Sequence, residues 1–102
     1  MATAVALYNR PMDPKAFDAY YISTHLPLAK KLAGLRSYRI SAGPIVTPEG
    51  PAPYQMAAIL TFESMAALQA ALMSPAGQAV VADLGNFATG GVKVLLFDDR
   101  EV

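Results

Sequence analysis

The chain has 102 residues, the length of one domain, and 54% of them are hydrophobic, enough to bury a core without staples. Eight basic residues offset eight acidic ones, so net charge gives no reason to expect nucleic acid, an anionic membrane or an acidic partner. The absence of cysteine excludes disulfides, a thiolate nucleophile and cysteine-ligated metal.

The opening MATAVALYNR has a short apolar run without a basic flank, which reads as neither signal peptide nor membrane span, and a cytoplasmic protein is expected. Thr3 to Tyr8 is β-branched and apolar and predicts a strand that ends in a turn at Asn9-Arg10-Pro11. Asp13-Pro14 opens a helix, with a capping carboxylate and proline at the first helical position. Phe17, Tyr21, Leu28 and Leu32 share one stripe of it, and Gly34 stops it. Inside this helix Pro27 lacks an N–H and clashes with the carbonyl of Ser23, which predicts a kink, with Thr24 as a cap for the restarted segment.

Leu35 to Ala42 alternates, with Tyr38 and Ile40 on one side and Ser37, Arg39 and Ser41 on the other, as an edge strand does. Gly43 to Pro53 is rich in proline and glycine and reads as a loop. Tyr54 to Phe62 is the next strand. Helices follow over Ser64 to Met73 and from Ser74-Pro75 to about Leu84, each with a serine cap. Gly90-Gly91 breaks the chain before the last strand, Val92 to Phe97.

The order β-α-β-β-α-β predicts an α+β, ferredoxin-like domain over 1–102, with a four-stranded antiparallel sheet and helices on one face. Tyr54–Phe62 and the last strand are expected at its centre, and both are apolar on both faces. Helices can cover only one face, and an antiparallel sheet does not leave an apolar face in water. Charged residues are 16%, against about 25% in typical domains. Both observations predict a homodimer packed through the free sheet face, without saying whether Ile59 or Leu60 faces the partner.

The strand order is shared by RNA-binding modules, enzymes and dimeric barrels, so chemistry must come from particular residues. YQMAAILTF lacks the basic residues of an RNA-recognition strand. No phosphate-cradling glycine motif is present, and with one histidine and no cysteine a zinc site would have to be mostly carboxylate. No cofactor or metal is expected.

His25, the one histidine, lies at the edge of the apolar stripe beside the predicted kink. A kink opens a gap, and an imidazole can give or take a proton near neutral pH. The bland alternative is a core histidine bonded to a freed carbonyl.

Asp13-Pro14, YYISTHLPLAKKLAGLRSY and MSPAGQAVVADLGNFATGG resemble the EthD-like family of dimeric α+β barrels over nearly the whole chain. The most specific parts are His25-Leu26-Pro27-Leu28 with Gly34-Leu35, and Asp83 with Asn86-Phe87. The resemblance implies a ferredoxin-like protomer whose sheet packs on a second one. It also implies a pocket near the first helix into which His25 projects, walled by Phe87. Relatives on this barrel include isomerases, cyclases and cofactor-free monooxygenases.

Other candidates carry two readings each. One of Tyr20 and Tyr21 is core and one lines the pocket through its hydroxyl. Asn86 is a helix C-terminal residue or a ligand contact. Asp83 is a solvated helix carboxylate, the commoner case, or the partner that orients His25. Arg36 and Arg39 read as solvated, and Met56, Met65 and Met73 as core filler. Two functions follow. One is a cofactor-free enzyme acting on a small hydrophobic, aromatic or lactone-like metabolite, with His25 moving a proton. The other is a non-catalytic binding protein for an apolar metabolite.

Overall fold

The computed structural model describes residues 1–102. Its elements run β1 (Ala2–Asn9), α1 (Pro14–Tyr20), a π-helical turn (Tyr21–His25), α2 (Leu26–Ala29), β2 (Leu35–Ile40), β3 (Val46–Thr47), β4 (Gly50–Pro51), β5 (Tyr54–Phe62), α3 (Met65–Met73), α4 (Pro75–Phe87) and β6 (Val92–Asp98). Four strands form one antiparallel sheet in the order β2-β5-β1-β6. This is the ferredoxin-like arrangement that the element order predicts. Strands β3 and β4 pair as a small hairpin inside the segment read as loop. No single helix is long and apolar enough to cross a membrane.

The last strand lies at an edge, not at the centre. Each helical crossover carries the chain past one intervening strand, so β1 and β5 interleave in the middle while β2 and β6 close the two sides. Register then sorts the residues by face. Ala4 pairs with Leu60 and Leu96, and Ala6 with Ala58 and Val94, all on the helix-covered side. Val5 pairs with Ile59 and Leu95, and Thr3 with Phe97, on the opposite side, because successive strand residues alternate. No helix covers this second face; the edge strand β6 is open on both sides, with Leu95 and Phe97 at 45% and 44% exposure and Val94 and Leu96 at 49% and 40%.

Local chemistry explains the helix starts. Asp13 accepts from the Ala16 amide, Ser64 from Ala67 and Ser74 from Gly77, each satisfying an N–H that the first turn leaves unpaired. Helix α4 runs one turn further than read, to Phe87. Gly34 takes a positive φ of 82°, the left-handed conformation that lets the chain leave the helix for β2.

Pro27 is accommodated differently from the sequence reading. The Leu26 amide bonds the carbonyl of Tyr21, five residues back, so one extra residue is threaded into the helix ahead of the proline. His25 keeps helical dihedrals (φ −69°, ψ −45°), the chain never leaves the helix, and no true N-terminus forms. Thr24 therefore caps nothing; its hydroxyl meets that of Ser23 at 3.2 Å.

The core beneath the helices has two parts. Ala2, Ala4, Leu32, Phe62, Leu68 and Ala71 form an aliphatic end. Tyr8, Phe17, Tyr21, Met56, Ala58 and Phe87 form an aromatic end. Met56 fills the aromatic end and half-buried Met65 packs against the aliphatic end, whereas Met73, on the last turn of α3, is 76% exposed. Arg36 meets Glu63 at 3.8 Å on the exposed rim, and Arg39 is exposed.

Candidate functional site

The aromatic end of the core is where polar atoms gather. The π-helical turn sets Tyr21 and His25 side by side and inward, with ring centroids 5.2 Å apart and both residues buried. Facing them, α4 presents Asp83, Asn86 and Phe87. Residues three and four apart share one side of a helix, so these three act as a unit. Tyr20, at the end of α1, completes the group.

Asp83 is its centre. One carboxylate oxygen, Oδ2, lies 2.9 Å from His25 Nδ1. The other, Oδ1, accepts from the Tyr20 hydroxyl at 2.6 Å and from the Asn86 amide at 3.0 Å. Burial pushes the Asp83 carboxyl up, but the bonds from Tyr20, Asn86 and His25 together outweigh it and hold the group below the ordinary carboxylate value. An ionised carboxylate only accepts, so His25 Nδ1 must carry the proton of that contact. In that tautomer the ring's second nitrogen, Nε2, holds the basic lone pair. The bond to Asp83 raises the Tyr20 phenol in turn, with burial second.

His25 lines a cavity of about 80 Å³ between the helices and the sheet. Its floor is Ala4, Ala6 and Ala58, its sides include Ala29, Leu60 and Leu84, and Val81 and Val94, each about half exposed, mark its mouth. Tyr8, Tyr21 and Tyr38 are the hydroxyl-bearing residues of the lining. The Tyr21 and Tyr38 hydroxyls bond each other. Burial first of all raises the phenols of Tyr8, Tyr21 and Tyr38, so all three remain protonated. Two hydroxyls sharing one hydrogen bond leave one O–H free to donate. The cavity thus combines apolar walls, one imidazole nitrogen and a phenolic donor.

The structure brings all six candidates together, in two tiers. His25 and Tyr21 line the cavity; Tyr20, Asp83, Asn86 and Phe87 do not. Asp83 is 7% exposed and bonded to His25, not a solvated helix carboxylate. Phe87 stands behind the imidazole, 4.7 Å between centroids, instead of walling the cavity, and stacks on Tyr20 at 5.4 Å. With Tyr20 and Asn86 it borders a separate outer hollow of about 200 Å³. Sequence reading missed Tyr8 and Tyr38. The alternation of β2 put Tyr38 on the side of Ile40, but only its pairing with Leu60 shows that this side is the covered one.

A model of the EthD domain matches residues 9–91. An uncharacterized 11.0 kDa protein in the thcB-thcC intergenic region of Rhodococcus erythropolis is 40% identical, over all of this chain and 98% of its own length. The crystal structure of an EthD family protein from Bacillus halodurans superposes with a TM-score of 0.88 at 30% identity, covering 98% of this chain and 99% of that one. Two more distant structures share the fold. SnoaB, a cofactor-independent oxygenase from Streptomyces nogalater, has a TM-score of 0.67 at 18% identity, covering 99% and 94%. A dimeric ferredoxin-like protein from Thermobifida fusca has 0.69 at 14%, covering 94% and 88%.

Proposed function

This chain belongs to the EthD domain family, and on that premise we propose that it acts without a cofactor on a small hydrophobic carbonyl compound, aromatic or lactone-like, with His25 as the proton-transfer group. The observation that carries this reading is the buried contact of His25 Nδ1 with Asp83 Oδ2 at 2.9 Å beside an apolar cavity. Asp83 holds the ring in the tautomer whose Nε2 is basic. Nε2 removes a proton from the carbon next to the carbonyl, the electron pair moves onto the carbonyl oxygen, and the free hydroxyl of the Tyr21–Tyr38 pair donates to that oxyanion. The imidazolium that forms is stabilised by the Asp83 carboxylate and returns the proton to product. SnoaB, described as a cofactor-independent oxygenase, shares the fold, which fits a chain that supplies its own acid–base groups.

A cavity of about 80 Å³ is smaller than the roughly 300–1,000 Å³ of typical ligand pockets. It takes the reacting end of a substrate, while the rest lies at the mouth formed by Val81 and Val94. We also assign the uncovered sheet face, with Val5, Leu7, Ile59, Leu95 and Phe97, to a homodimer contact.

Hydrogen–deuterium exchange next to the carbonyl, followed by NMR over a panel of small aromatic ketones and lactones, tests the reaction through its first step, whichever compound is the natural substrate. Wild type should exchange at least one panel member, and His25→Gln should slow it by about 10²–10⁴ with affinity little changed. The non-catalytic alternative gives binding without exchange, with affinity falling by about 0.5–1.5 kcal/mol in the variant. Equal exchange by wild type and variant sinks the role of His25.

A further inference from the structure

The largest cleft on the chain is not the His25 cavity. It measures about 410 Å³, within the range of small-molecule sites, and lies between the second half of α1 with the π-helical turn, the 41–45 loop, the β3–β4 hairpin and the first residues of β5. A β-bulge shapes its base. Tyr8 pairs with Met56 and Asn9 with Tyr54, which leaves Gln55 as an extra residue with nothing opposite it. The bulge frees the Gln55 side chain to reach α1, where its amide donates to Asp18 Oδ1 at 3.2 Å.

Two opposite charges line this cleft, Arg10 and Asp18. Neither forms an ion pair, with the other or with any other residue; the ion pairs in the chain are His25–Asp83 and Arg36–Glu63. The Arg10 guanidinium makes no hydrogen bond to the protein, and Asp18 keeps Oδ2 unbonded beside the Oδ1 held by Gln55. The rest of the lining is mixed, with Ser41 and Gln55 polar, and its apolar part comes from Ile22, exposed on the π-helical turn, Ile45 from the loop and Met56 at the edge of the aromatic core. A cleft lined by an unpaired positive charge, an unpaired negative charge and several apolar residues is complementary to a zwitterionic small molecule with a hydrocarbon body. The ligand carries a carboxylate for Arg10, an ammonium for Asp18 and a hydrocarbon body for Ile22, Ile45 and Met56.

We propose that this cleft is a second binding site, for a free α-amino acid with an apolar side chain. Arg10 takes the carboxylate, since its planar fork matches that group, and Asp18, fixed by Gln55, takes the ammonium. The site shares no lining residue with the His25 cavity, so it stands whether or not His25 is catalytic.

Calorimetric titration of the whole protein with L-leucine and L-phenylalanine tests it. Each is compared with the analogue lacking the ammonium (4-methylpentanoate, 3-phenylpropanoate) and the analogue lacking the carboxylate (3-methylbutylamine, 2-phenylethylamine). Saturable binding of at least one amino acid is expected, with both of its analogues weaker by about tenfold or more, the loss of one charge-assisted contact. Arg10→Gln should abolish discrimination against the amine, and Asp18→Asn discrimination against the acid. Both side chains are exposed, so both variants should fold, which circular dichroism verifies. His25→Gln should bind as wild type does, which separates this site from the cavity. No saturation by either amino acid up to about tenfold above the millimolar range typical of weak small ligands, equal binding of an analogue, or indifference to both charge variants overturns the proposal.

Discussion

Ile59 and Leu60 are neighbours on one strand, and the sheet sends them to opposite fates. Leu60 faces the helices, touches both halves of the core and lines the His25 cavity. Ile59 faces the side that no helix covers, in register with Val5 and Arg39. The covered face accommodates polar groups because each has a partner: no buried side-chain nitrogen or oxygen lacks a hydrogen bond. The open face carries Thr3, Ser37, Arg39, Thr61 and Lys93 among its apolar residues, and no helix covers it. The proposed chemistry belongs to one face and the proposed association to the other, and a single step along the backbone switches between them.

Substitutions at and around this pair should keep the two faces distinct. Ile59→Glu should have the largest effect on assembly. A charge forced unpaired into a sheet-on-sheet contact costs about 3–5 kcal/mol, so sedimentation should shift from twice the chain mass to a monomer, or the chain should aggregate. A wild type that sediments as a monomer at micromolar concentration removes the open face from the comparison. Leu60→Ala should cost about 2–5 kcal/mol in urea unfolding, by lost burial and an enlarged cavity, and should leave the sedimenting species unchanged. If it alters association as strongly as Ile59→Glu, the two faces are not independent.

Asp83→Asn is the smallest and depends on pH. The folded carboxyl lies below its ordinary value of 3.8, so its stabilising contribution is present above that value and is lost as pH falls through the lowered one. Wild type should exceed the variant by about 1.5–3 kcal/mol at neutral pH, the range for hydrogen bonds to a charged group, and the gap should close in strong acid. A gap that stays constant down to about pH 2 rules out an ionised Asp83. The asparagine can also donate to Nδ1, which turns the imidazole's basic nitrogen the wrong way and should slow the proposed exchange.

Much of this was legible in the chain, for reasons that differ by residue. Asp13, Ser64 and Ser74 announced their helices because a cap acts within three residues. The apolar character of both strand faces was visible because alternation is local. The position of β6 at the edge was not, since it follows from how two crossovers interleave. The π-helical turn escaped because Pro27 signals that a helical bond must be lost but not how the chain absorbs the loss. The aspartate at 83 is 58 positions from His25, and only the packing of α4 against the first helical arm makes them partners. His25, Tyr21, Asp83, Asn86 and Phe87 stand out by residue type and resemblance, whereas their division into a cavity tier and a supporting tier required the fold.

The floor of the His25 cavity is paved with alanine: Ala4 and Ala6 from β1, and Ala58 from β5, with Ala29 at its side. Its volume is therefore set by methyl groups. A single base change turns an alanine codon into one for valine, and each such change would take up part of the space. Under the proposed function, descendants of this chain can narrow the range of molecules they admit by small, independent steps, without touching the histidine, its carboxylate or the tyrosines. Widening the range is harder, because glycine, the one smaller residue, loosens a central strand. The pocket is poised to specialise and resists becoming more general.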